Sequence, residues 1–261
     1  MSRFCSLFSS SSANSTYISS SSTAVLIDAG ASTKQILLSL ENHGLDEKSI
    51  KAIFVTHEHS DHTKALKVLS GKLGVPVYAT RKTLEVLIEK NLVDEKTKLV
   101  EIDDSGAIID DLQVVPFHTP HDSADSVGYN IFLPDERKIS TCTDLGIVTD
   151  TVFKALDGSD LVLLESNHDL QMLKNGPYVL SLKKRIMSDN GHLPNHLCAE
   201  AASKLFQGRT TRFVLGHLSK QNNTPQKAFN ETKKAFDLLG AKENIDYTLC
   251  VGGDCNEVIR L

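Results

Sequence analysis

The sequence predicts an α/β (α+β) fold in which strands and helices are mixed along the whole chain. Apolar segments of strand length follow one another directly at the start and in the middle of the chain. Elsewhere, apolar residues recur three and four positions apart, which is the spacing of an amphipathic helix. Strands that follow one another without a helix favour mixed or antiparallel sheets over one parallel sheet. Because we find neither a repeat nor a linker, we expect a single domain, residues 1–261.

The first half is expected to begin with two short strands and then to alternate between strands and helices. Residues 1–22 are rich in serine, which is also typical of a disordered tail. However, Phe4, Leu7, Phe8, Tyr17 and Ile18 interrupt the serines and favour strands around a turn at 12–15. The apolar spacing that follows predicts strands at 22–30, 50–56 and 75–79, with helices at 32–43, 66–73 and 81–90.

The second half changes character, because three strands separated by turn residues come first, at 112–118, 127–133 and 138–143. A helix at 149–156 and a buried strand at 161–165 follow. Helices at 178–187 and 196–206 precede a strand at 213–215, which leads into Gly216-His217. A long amphipathic helix is predicted at 225–239, since Pro225 suits the first helical turn. Closing strands are expected at 246–251 and 257–261.

Composition and charge argue against several classes of protein. No run of 18 apolar residues suggests a membrane span, and the N-terminus lacks the pattern of a secretory signal. A net charge of -5 argues against attraction of nucleic acid by the whole surface, but it leaves a local basic groove open. The cysteines are odd in number, without a Cys-x-x-Cys pair, so we expect no disulfide framework and a cytoplasmic protein. They are Cys5, Cys142, Cys198, Cys250 and Cys255.

A cluster of metal-ligand residues follows the predicted strand at 50–56. His57, His59, Asp61 and His62 place four potential ligands within six residues. At a strand end, His57 and His59 can share a face because alternate residues do so, and the next two can turn into a helix. This spacing suits two metals better than one, whereas a polar surface loop would not require three histidines and an aspartate. Nitrogen and oxygen ligands suit zinc, iron and manganese.

Four residues cannot complete two coordination shells, so further ligands are expected at later strand ends. His121, Asp144 and His217 each stand as a polar residue just after an apolar segment, where a rigid scaffold can hold a ligand. His118 is expected to point away from His121, and Glu58 to face away from the metals or to support a ligand histidine by a hydrogen bond.

This order of residues resembles the metallo-β-lactamase superfamily over nearly the whole chain. The resemblance implies a four-layer αββα sandwich with the metals at one edge of its two sheets. Carried over by position, it implies one metal held by His57, His59 and His121, another held by Asp61, His62 and His217, and Asp144 as the bridge. Residues 165–169, 183–186, 191–195 and 216–223 look like the YycJ (WalJ) branch, which is associated with DNA exonuclease activity. The chain departs from that branch at 9–15, where serines replace glycines, and at Pro194, where serine is usual.

The resemblance and the ligand set together predict a two-metal hydrolase. We expect a phosphodiesterase or exonuclease acting on DNA (or RNA), with two divalent ions (Zn, Mn or Fe) and a metal-bridging hydroxide as nucleophile. A nucleic acid substrate, no membrane and no particular oligomeric state are implied. The alternative is a small-molecule hydrolase of an ester, thioester, lactone or cyclic phosphodiester, since the fold does not fix the substrate. A non-catalytic metal-binding module is the least favoured hypothesis.

Further residues are candidates for catalysis and for substrate binding. Asp61 is expected to orient the attacking hydroxide as well as to bind metal, and His192 to donate a proton or contact phosphate. A histidine at a helix terminus is the alternative for His192. The candidates for substrate contact follow a strand or lie near a helix, where capping or a solvated helix face is the simpler explanation. They are Asn167, His168, Lys183 and Asn195.

Overall fold

Fourteen strands arranged in two seven-stranded sheets form the framework of the described part of the protein, a computed structural model that covers residues 1–253 and 257–261. The first sheet has the order β14-β1-β2-β3-β4-β5-β6, and the second has the order β13-β12-β11-β10-β9-β8-β7. The strands are β1 (Arg3–Ser10), β2 (Ala13–Ser19), β3 (Ala24–Ile27), β4 (Ile50–Phe54), β5 (Val77–Ala79), β6 (Leu99–Glu101), β7 (Ala107–Ile109), β8 (Leu112–His118), β9 (Val127–Phe132), β10 (Lys138–Cys142), β11 (Leu161–Glu165), β12 (Arg212–Gly216), β13 (Thr248–Val251) and β14 (Ile259–Arg260).

Each sheet has an antiparallel part and a parallel part. Strands β14, β1, β2 and β3 pair antiparallel, and β3 to β6 then pair parallel. The second sheet repeats this plan, because β7 to β10 are antiparallel and β10 to β13 are parallel. The prediction of mixed sheets is therefore confirmed. The carboxyl ends of β3, β4, β10, β11 and β12 are the parts of this framework that carry the site.

The helices lie outside the sheets and complete four layers. They are α1 (Thr33–Asn42), α2 (Ser60–Thr63), α3 (Leu66–Leu73), α4 (Arg81–Glu89), α5 (Asp150–Leu156), α6 (Leu170–Asn175), α7 (Leu180–Ile186), α8 (Asn195–Gly208) and α9 (Pro225–Leu238). The helix α1 begins with a capping box, in which Ser32 and Gln35 bond each other's backbone amides. The 14-residue helix α9 starts with Pro225, as the sequence predicts.

Alternation along the strands separates three apolar cores, one between each pair of layers. In β3, Val25 and Ile27 pack in the core between the two sheets, whereas Leu26 packs under α1 and α3. In β11, Leu163 packs in the same central core, whereas Leu164 packs under α5 and α8. Successive strand residues point to opposite faces, so strands buried on both faces need apolar residues throughout. The four-layer αββα sandwich is therefore the observed architecture.

Most predicted elements are present, and the differences lie in short segments. The elements β6, β7 and α6 were not predicted, because they have only three to six residues each and too few positions to show a period. The predicted strand at 22–30 covers only Ala24–Ile27, because the chain turns at Asp28. No helix among the described residues is long and apolar enough to cross a membrane. Of the described cysteines, Cys5, Cys142 and Cys198 are free and buried, Cys250 is disulfide-bonded, and Cys255 lies outside the described residues.

Candidate metal centre

The histidine cluster lies where β4 ends and α2 begins. His57 follows the end of β4 by three residues and is fully buried. His59 is the cap residue of α2, and its extended backbone directs the chain into the helix. Asp61 and His62 then lie in the first turn of that helix. The sequence therefore turns from strand to helix within the motif, which brings ligand atoms from both elements to one place.

Three of the buried site residues adopt the left-handed backbone conformation as they leave their strands. Asp28 follows β3, Asp144 follows β10 and His217 follows β12, with φ values of 65°, 60° and 54°. This region is unusual for residues other than glycine, although aspartate and histidine enter it more readily than most. Strained backbone of this kind clusters at functional sites, where the surrounding fold holds it. The turn at each strand end aims the side chain across the sheet edge instead of along it.

The predicted ligand residues converge into two adjoining sets. The ligand atoms of His57, His59 and His121 lie within 4.8 Å of one another, and so do those of Asp61, His62 and His217. Asp144 lies between the sets, because its Oδ2 is 3.2 Å from His62 Nε2 and 3.3 Å from His217 Nδ1. The other carboxylate oxygen of Asp144, Oδ1, lies 3.8 Å from His121 Nε2. A carboxylate with two oxygens can join two neighbouring cations, and this one faces both sets.

The donor atoms have the character of a cation site. His121 Nε2, His217 Nδ1 and Asp144 Oδ2 are buried without a hydrogen-bond partner among the described residues. Buried polar atoms are rarely left unpaired, so three of them within the two adjoining ligand sets indicate a bound group. His57 Nε2 and His59 Nδ1 lie 3.0 Å apart, which places two imidazole nitrogens beside each other as a shared cation would. The residues present therefore fit divalent ions with nitrogen and oxygen ligands.

Burial and mutual charge set the protonation of these groups. Burial lowers the pKa of His57 well below its ordinary value, and burial also lowers the pKa of His121. Both therefore favour the neutral form, which is the form that binds metal. Burial opposes ionisation of Asp144, but His217 and His62 hold the pKa of that carboxyl well below its usual range. Burial likewise disfavours a charged His62, yet Asp144 and Asp28 raise its pKa well above the ordinary value.

Comparison with known proteins identifies the family. The model of the β-lactamase superfamily domain matches residues 23–218. The chain is 36% identical over 225 residues to "Exodeoxyribonuclease WalJ" of Streptococcus pneumoniae, covering 85% of this chain and 83% of the relative. It is also 36% identical over 240 residues to "Exodeoxyribonuclease YycJ" of Bacillus anthracis, covering 91% and 90%. The chain belongs to the metallo-β-lactamase superfamily. Divalent metal binding follows from this membership and from the clustered ligands.

Solved structures of the superfamily share the same architecture. The metallo-β-lactamase fold protein YhfI from Bacillus subtilis superposes with a TM-score of 0.71 at 14% identity, covering 96% of this chain and 95% of that one. A diphosphatase from the PhnP family superposes with a TM-score of 0.69 at 17% identity, covering 100% and 98%. At these identities the likeness concerns the fold, and it confirms the fold predicted from the ligand motif.

A buried aspartate behind the metal site escaped the sequence analysis. Asp28 Oδ2 accepts hydrogen bonds from His62 Nδ1 at 2.8 Å and from Thr56 Oγ1 at 2.9 Å, while Oδ1 accepts from the Thr56 amide at 2.8 Å. A carboxylate bonded to the far nitrogen of a ligand histidine fixes its orientation and tautomer, as in many members of metal-binding families. The signal in the sequence was an aspartate directly after an apolar strand, the same signal that identified Asp144.

A second buried carboxylate orients the predicted proton donor. Glu165, the last residue of β11, accepts from His192 Nδ1 at 2.8 Å and from the Leu145 amide at 2.9 Å. His192 Nδ1 also lies 3.7 Å from Asp144 Oδ1, so the structure brings His192 to the ligand sets. Burial opposes a charged imidazole, but the Glu165 carboxylate outweighs it and raises the pKa of His192 to about 9. The sequence indicated His192 as a candidate but gave no sign of its partner Glu165.

The hairpin between β1 and β2 closes one side of the site. Asn14 Nδ2 lies 3.1 Å from His62 Nε2 and 3.3 Å from Asp61 Oδ2. Ser9 Oγ accepts from the His217 amide at 2.8 Å, which ties the hairpin to the loop after β12. Gly30 packs so closely on this region that a Cβ atom there would lie 1.6 Å from the Asp61 carbonyl oxygen. The serine-rich start of the chain is therefore an ordered part of the site.

The residues predicted to contact substrate are turned largely toward the protein interior. Asn167 Nδ2 donates to the His217 carbonyl at 2.9 Å, and Asn195 exchanges two hydrogen bonds with Asn223 at 2.9 and 2.8 Å. His168 is buried, and Nδ1 of its ring lies 3.3 Å from Asn167 Oδ1. These amides hold the loop of His217 and the start of α8. A contact with substrate stays a prediction for them.

Other predicted roles change when the contacts are known. Lys183 Nζ donates to the carbonyls of Lys174 and Gly176 at 2.7 and 2.8 Å, so its ammonium closes the end of α6. Glu58 accepts from the Ala124 amide at 3.1 Å and steadies the loop of His121, rather than bonding a ligand histidine. His118 is exposed and lies 3.1 Å from Asp125, pointing away from the site as expected.

Proposed function

We propose that this protein is a metal-dependent exodeoxyribonuclease that acts as a single domain with two divalent cations. His57, His59 and His121 would hold one cation, and Asp61, His62 and His217 the other, with Asp144 between them. Zinc, manganese and iron all accept this set of nitrogen and oxygen ligands. Support comes from the two convergent ligand sets and from the relatives named exodeoxyribonucleases, which match this chain over most of their length.

The observation that carries the assignment to a phosphodiester is the Glu165–His192 pair beside the ligand sets. Cleavage of a phosphodiester expels an alkoxide, which is a poor leaving group unless a general acid protonates it. Glu165, at 2.8 Å, favours the charged form of His192 by raising its pKa, and His192 lies 3.7 Å from Asp144. A proton donor within reach of the ligand cluster suits this step, and the Glu165 carboxylate would favour reprotonation of His192 from water after each turnover.

Each residue of the site has a distinct task in this proposal. When bound, the two cations supply Lewis acidity that activates water and neutralises charge on the attacked phosphate. Asp61 would orient the attacking water, because its Oδ2 lies at the cluster, 3.4 Å from His62 Nε2. Asn14 steadies that carboxylate from the hairpin, and Asp28 keeps His62 in position from behind. His192 would donate the proton to the leaving oxygen.

The direct test is degradation of labelled nucleic acid. Purified protein with manganese or zinc is incubated with end-labelled single- and double-stranded DNA and RNA, and the products are resolved by length. We expect stepwise shortening of DNA from one end, abolished by chelator. An Asp61→Asn variant should lose this activity while keeping the fold. If no polymer is shortened but a thioester, lactone or small cyclic phosphodiester is hydrolysed, the protein is a small-molecule hydrolase and the proposal fails.

A further inference from the structure

One edge of the site combines a clamped arginine with exposed apolar residues. The helix α7 and the turn before it, residues 176–187, run up to the segment that carries His192. We name this segment the α7 rim. It contains Arg185 near the site and Val179 and Leu180 at its far end, and the activity proposed above leaves all three unused.

Arg185 is held at the mouth of the metal centre by Asp122, the neighbour of His121. Arg185 Nη2 donates to Asp122 Oδ1 at 2.9 Å, and Arg185 Nε donates to Asp122 Oδ2. Asp122 Oδ1 lies 3.5 Å from His121 Nε2, so the guanidinium lies next to the ligand cluster. The guanidinium carries five N–H donors and spends two on Asp122, which leaves three for a phosphate. About half of the Arg185 side chain is exposed and open to a ligand.

The rim is ordered around this arginine. The Asp122 amide donates to the Asn190 carbonyl at 3.1 Å, and the His192 amide donates to the Ile186 carbonyl at 2.9 Å. A Cβ atom on Gly191 would lie 2.3 Å from the carbonyl oxygens of Arg185 and Ile186, so the chain turns tightly there. These contacts fix the position of Arg185 relative to His192, the proposed proton donor.

The far end of the rim presents apolar side chains to solvent. Val179 and Leu180 are each 67% exposed. Lys183 bonds the carbonyls of Lys174 and Gly176, so this turn is closed by its own contacts rather than left loose. Val179 precedes Arg185 by six residues, or about 9 Å at the rise of an α-helix. Unpaired bases have apolar faces that can pack on exposed aliphatic side chains, whereas the bases of a duplex are already stacked inside it.

Charge beside the loop of His121 supports the same path for the strand. A cleft of about 390 Å³ there is lined by the carboxylates of Glu101, Asp103, Asp104 and Asp125, which outnumber the cationic Arg81 in the same lining; His118 also lines it. A nucleic acid backbone is repelled there and attracted by Arg185 and the exposed Lys184 on the rim. An anionic strand that enters this centre therefore lies along α7.

We propose that the α7 rim binds the single strand of the substrate, with Arg185 gripping a phosphate beside the metal centre and Val179 and Leu180 supporting unpaired bases. This inference rests on the proposed nuclease function. Asn167 and Asn195 are buried and bond within the protein, so the α7 rim would supply the contacts to the strand that lie outside the metal centre.

Binding to the metal-loaded protein tests the proposal directly. The probe is a fluorescent single-stranded oligodeoxynucleotide with phosphorothioate linkages, measured by anisotropy over a range of salt concentrations. Arg185→Gln should weaken binding about tenfold and reduce the slope of log affinity against log salt by about 0.7, the value for one phosphate contact on a single strand. The matched control is Arg209→Gln, because Arg209 also pairs with an aspartate on the surface but lies at the far end of α8.

The apolar part of the rim has its own variant and control. A Val179→Ser/Leu180→Ser double variant should weaken binding of the single strand about fivefold with an unchanged salt slope, because apolar packing is not ionic. Leu238→Ser is the control, since Leu238 is 81% exposed on α9. Unfolding temperatures and metal contents of all variants check that the fold is retained. An equal loss of binding to a blunt duplex would overturn the assignment to a single strand.

The outcomes separate the two proposals. If the unaltered protein binds the oligonucleotide and the rim variants bind it as tightly as the controls do, the proposed role of the α7 rim is overturned. The nuclease proposal then stands. If the unaltered, metal-loaded protein neither binds nor shortens DNA, the nuclease proposal fails and the rim with it.

Discussion

The substitution Asp28→Asn should weaken metal binding while the protein keeps its fold. At 65°, the φ of Asp28 suits asparagine about as well as aspartate, so the substitution adds no backbone strain. The amide oxygen can still accept from the Thr56 amide, as Asp28 Oδ1 does. The amide nitrogen, however, replaces Oδ2 and donates where Oδ2 accepted. His62 Nδ1 must then accept, and its proton moves to Nε2, the nitrogen that lies 3.2 Å from Asp144 Oδ2. The lone pair that would bind a cation is lost.

The size of the effect follows from the bonds that change. One hydrogen bond to a charged acceptor contributes about 1.5–3 kcal/mol. Changes to groups that orient a ligand histidine typically lower metal affinity by about 10–100-fold, which is ~1.4–2.7 kcal/mol and agrees with the loss of one such bond. We therefore expect Asp28→Asn to weaken binding of the second cation by about 10–100-fold. The metal-free protein loses this hydrogen bond too, so its unfolding temperature should fall; that of the loaded protein should fall further, because it also binds its cation more weakly.

The measurement is a titration with zinc or manganese in a chelator-buffered series, and the readout is the content of tightly bound ion. The control is Asp111→Asn, because Asp111 accepts from Ser20 and Ser22 at the opposite end of β3 and lies away from the site. If Asp28→Asn binds both cations as tightly as the unaltered protein, the carboxylate does not orient His62 and the reasoning is refuted. Equal weakening by Asp111→Asn would point to a general loss of stability instead.

Other predictions test the proton donor, the packing of the hairpin and the protonation of a buried histidine. His192→Gln should lower kcat on DNA by about 10²–10⁴-fold, yet affect bis(p-nitrophenyl) phosphate far less because its leaving group needs no proton; equal losses on both substrates would argue against a general acid. Gly30→Ala should destabilise the protein in thermal unfolding, since a Cβ would collide with the Asp61 carbonyl, whereas Gly71→Ala in the open on α3 should stabilise it by about 0.5–1 kcal/mol. Burial, followed by the charges of nearby histidines, lowers the pKa of His168 to about 4 against an ordinary value of 6.5. The unfolded chain binds the extra proton, so stability is complete above pH 6.5 and is lost as pH falls toward 4, by ~3 kcal/mol. His168→Gln should flatten that part of the profile in denaturant titrations, and an unchanged profile would contradict it.

The convergence of the candidate ligand residues could be predicted because each obeys a local rule. His57, Asp144 and His217 are polar residues that directly follow apolar strands, and the carboxyl ends of parallel strands meet at one edge of a sheet. Once the motif at 57–62 is identified, the later candidate ligands can be found at the strand ends without knowledge of interatomic distances. The two apolar faces of each central strand likewise follow from sequence, since strands buried on both sides have apolar residues throughout.

The partners of these residues depend on tertiary contacts and could not be predicted in the same way. Glu165 is the last residue of a buried strand, and only the fold brings it to His192, which is 27 residues away along the chain. Lys183 illustrates the opposite case. Its charge predicts a contact with phosphate, but the end of α6 lies within reach and supplies two carbonyl acceptors. Side-chain partners are chosen by position in space, which the local pattern does not encode.

The origin of the ligand residues in two separate sheets has a consequence for the assembly of the protein. Four of the predicted ligands come from residues 57–62, at the edge of one sheet, whereas His121, Asp144 and His217 follow strands of the other. The first sheet by itself therefore offers four of the seven predicted ligand residues. Both sheets must dock before either of the two proposed cations gains its full set of ligands. We therefore expect metal loading to be a late step in maturation. The bound cations would then stabilise a sandwich whose two sheets have already docked.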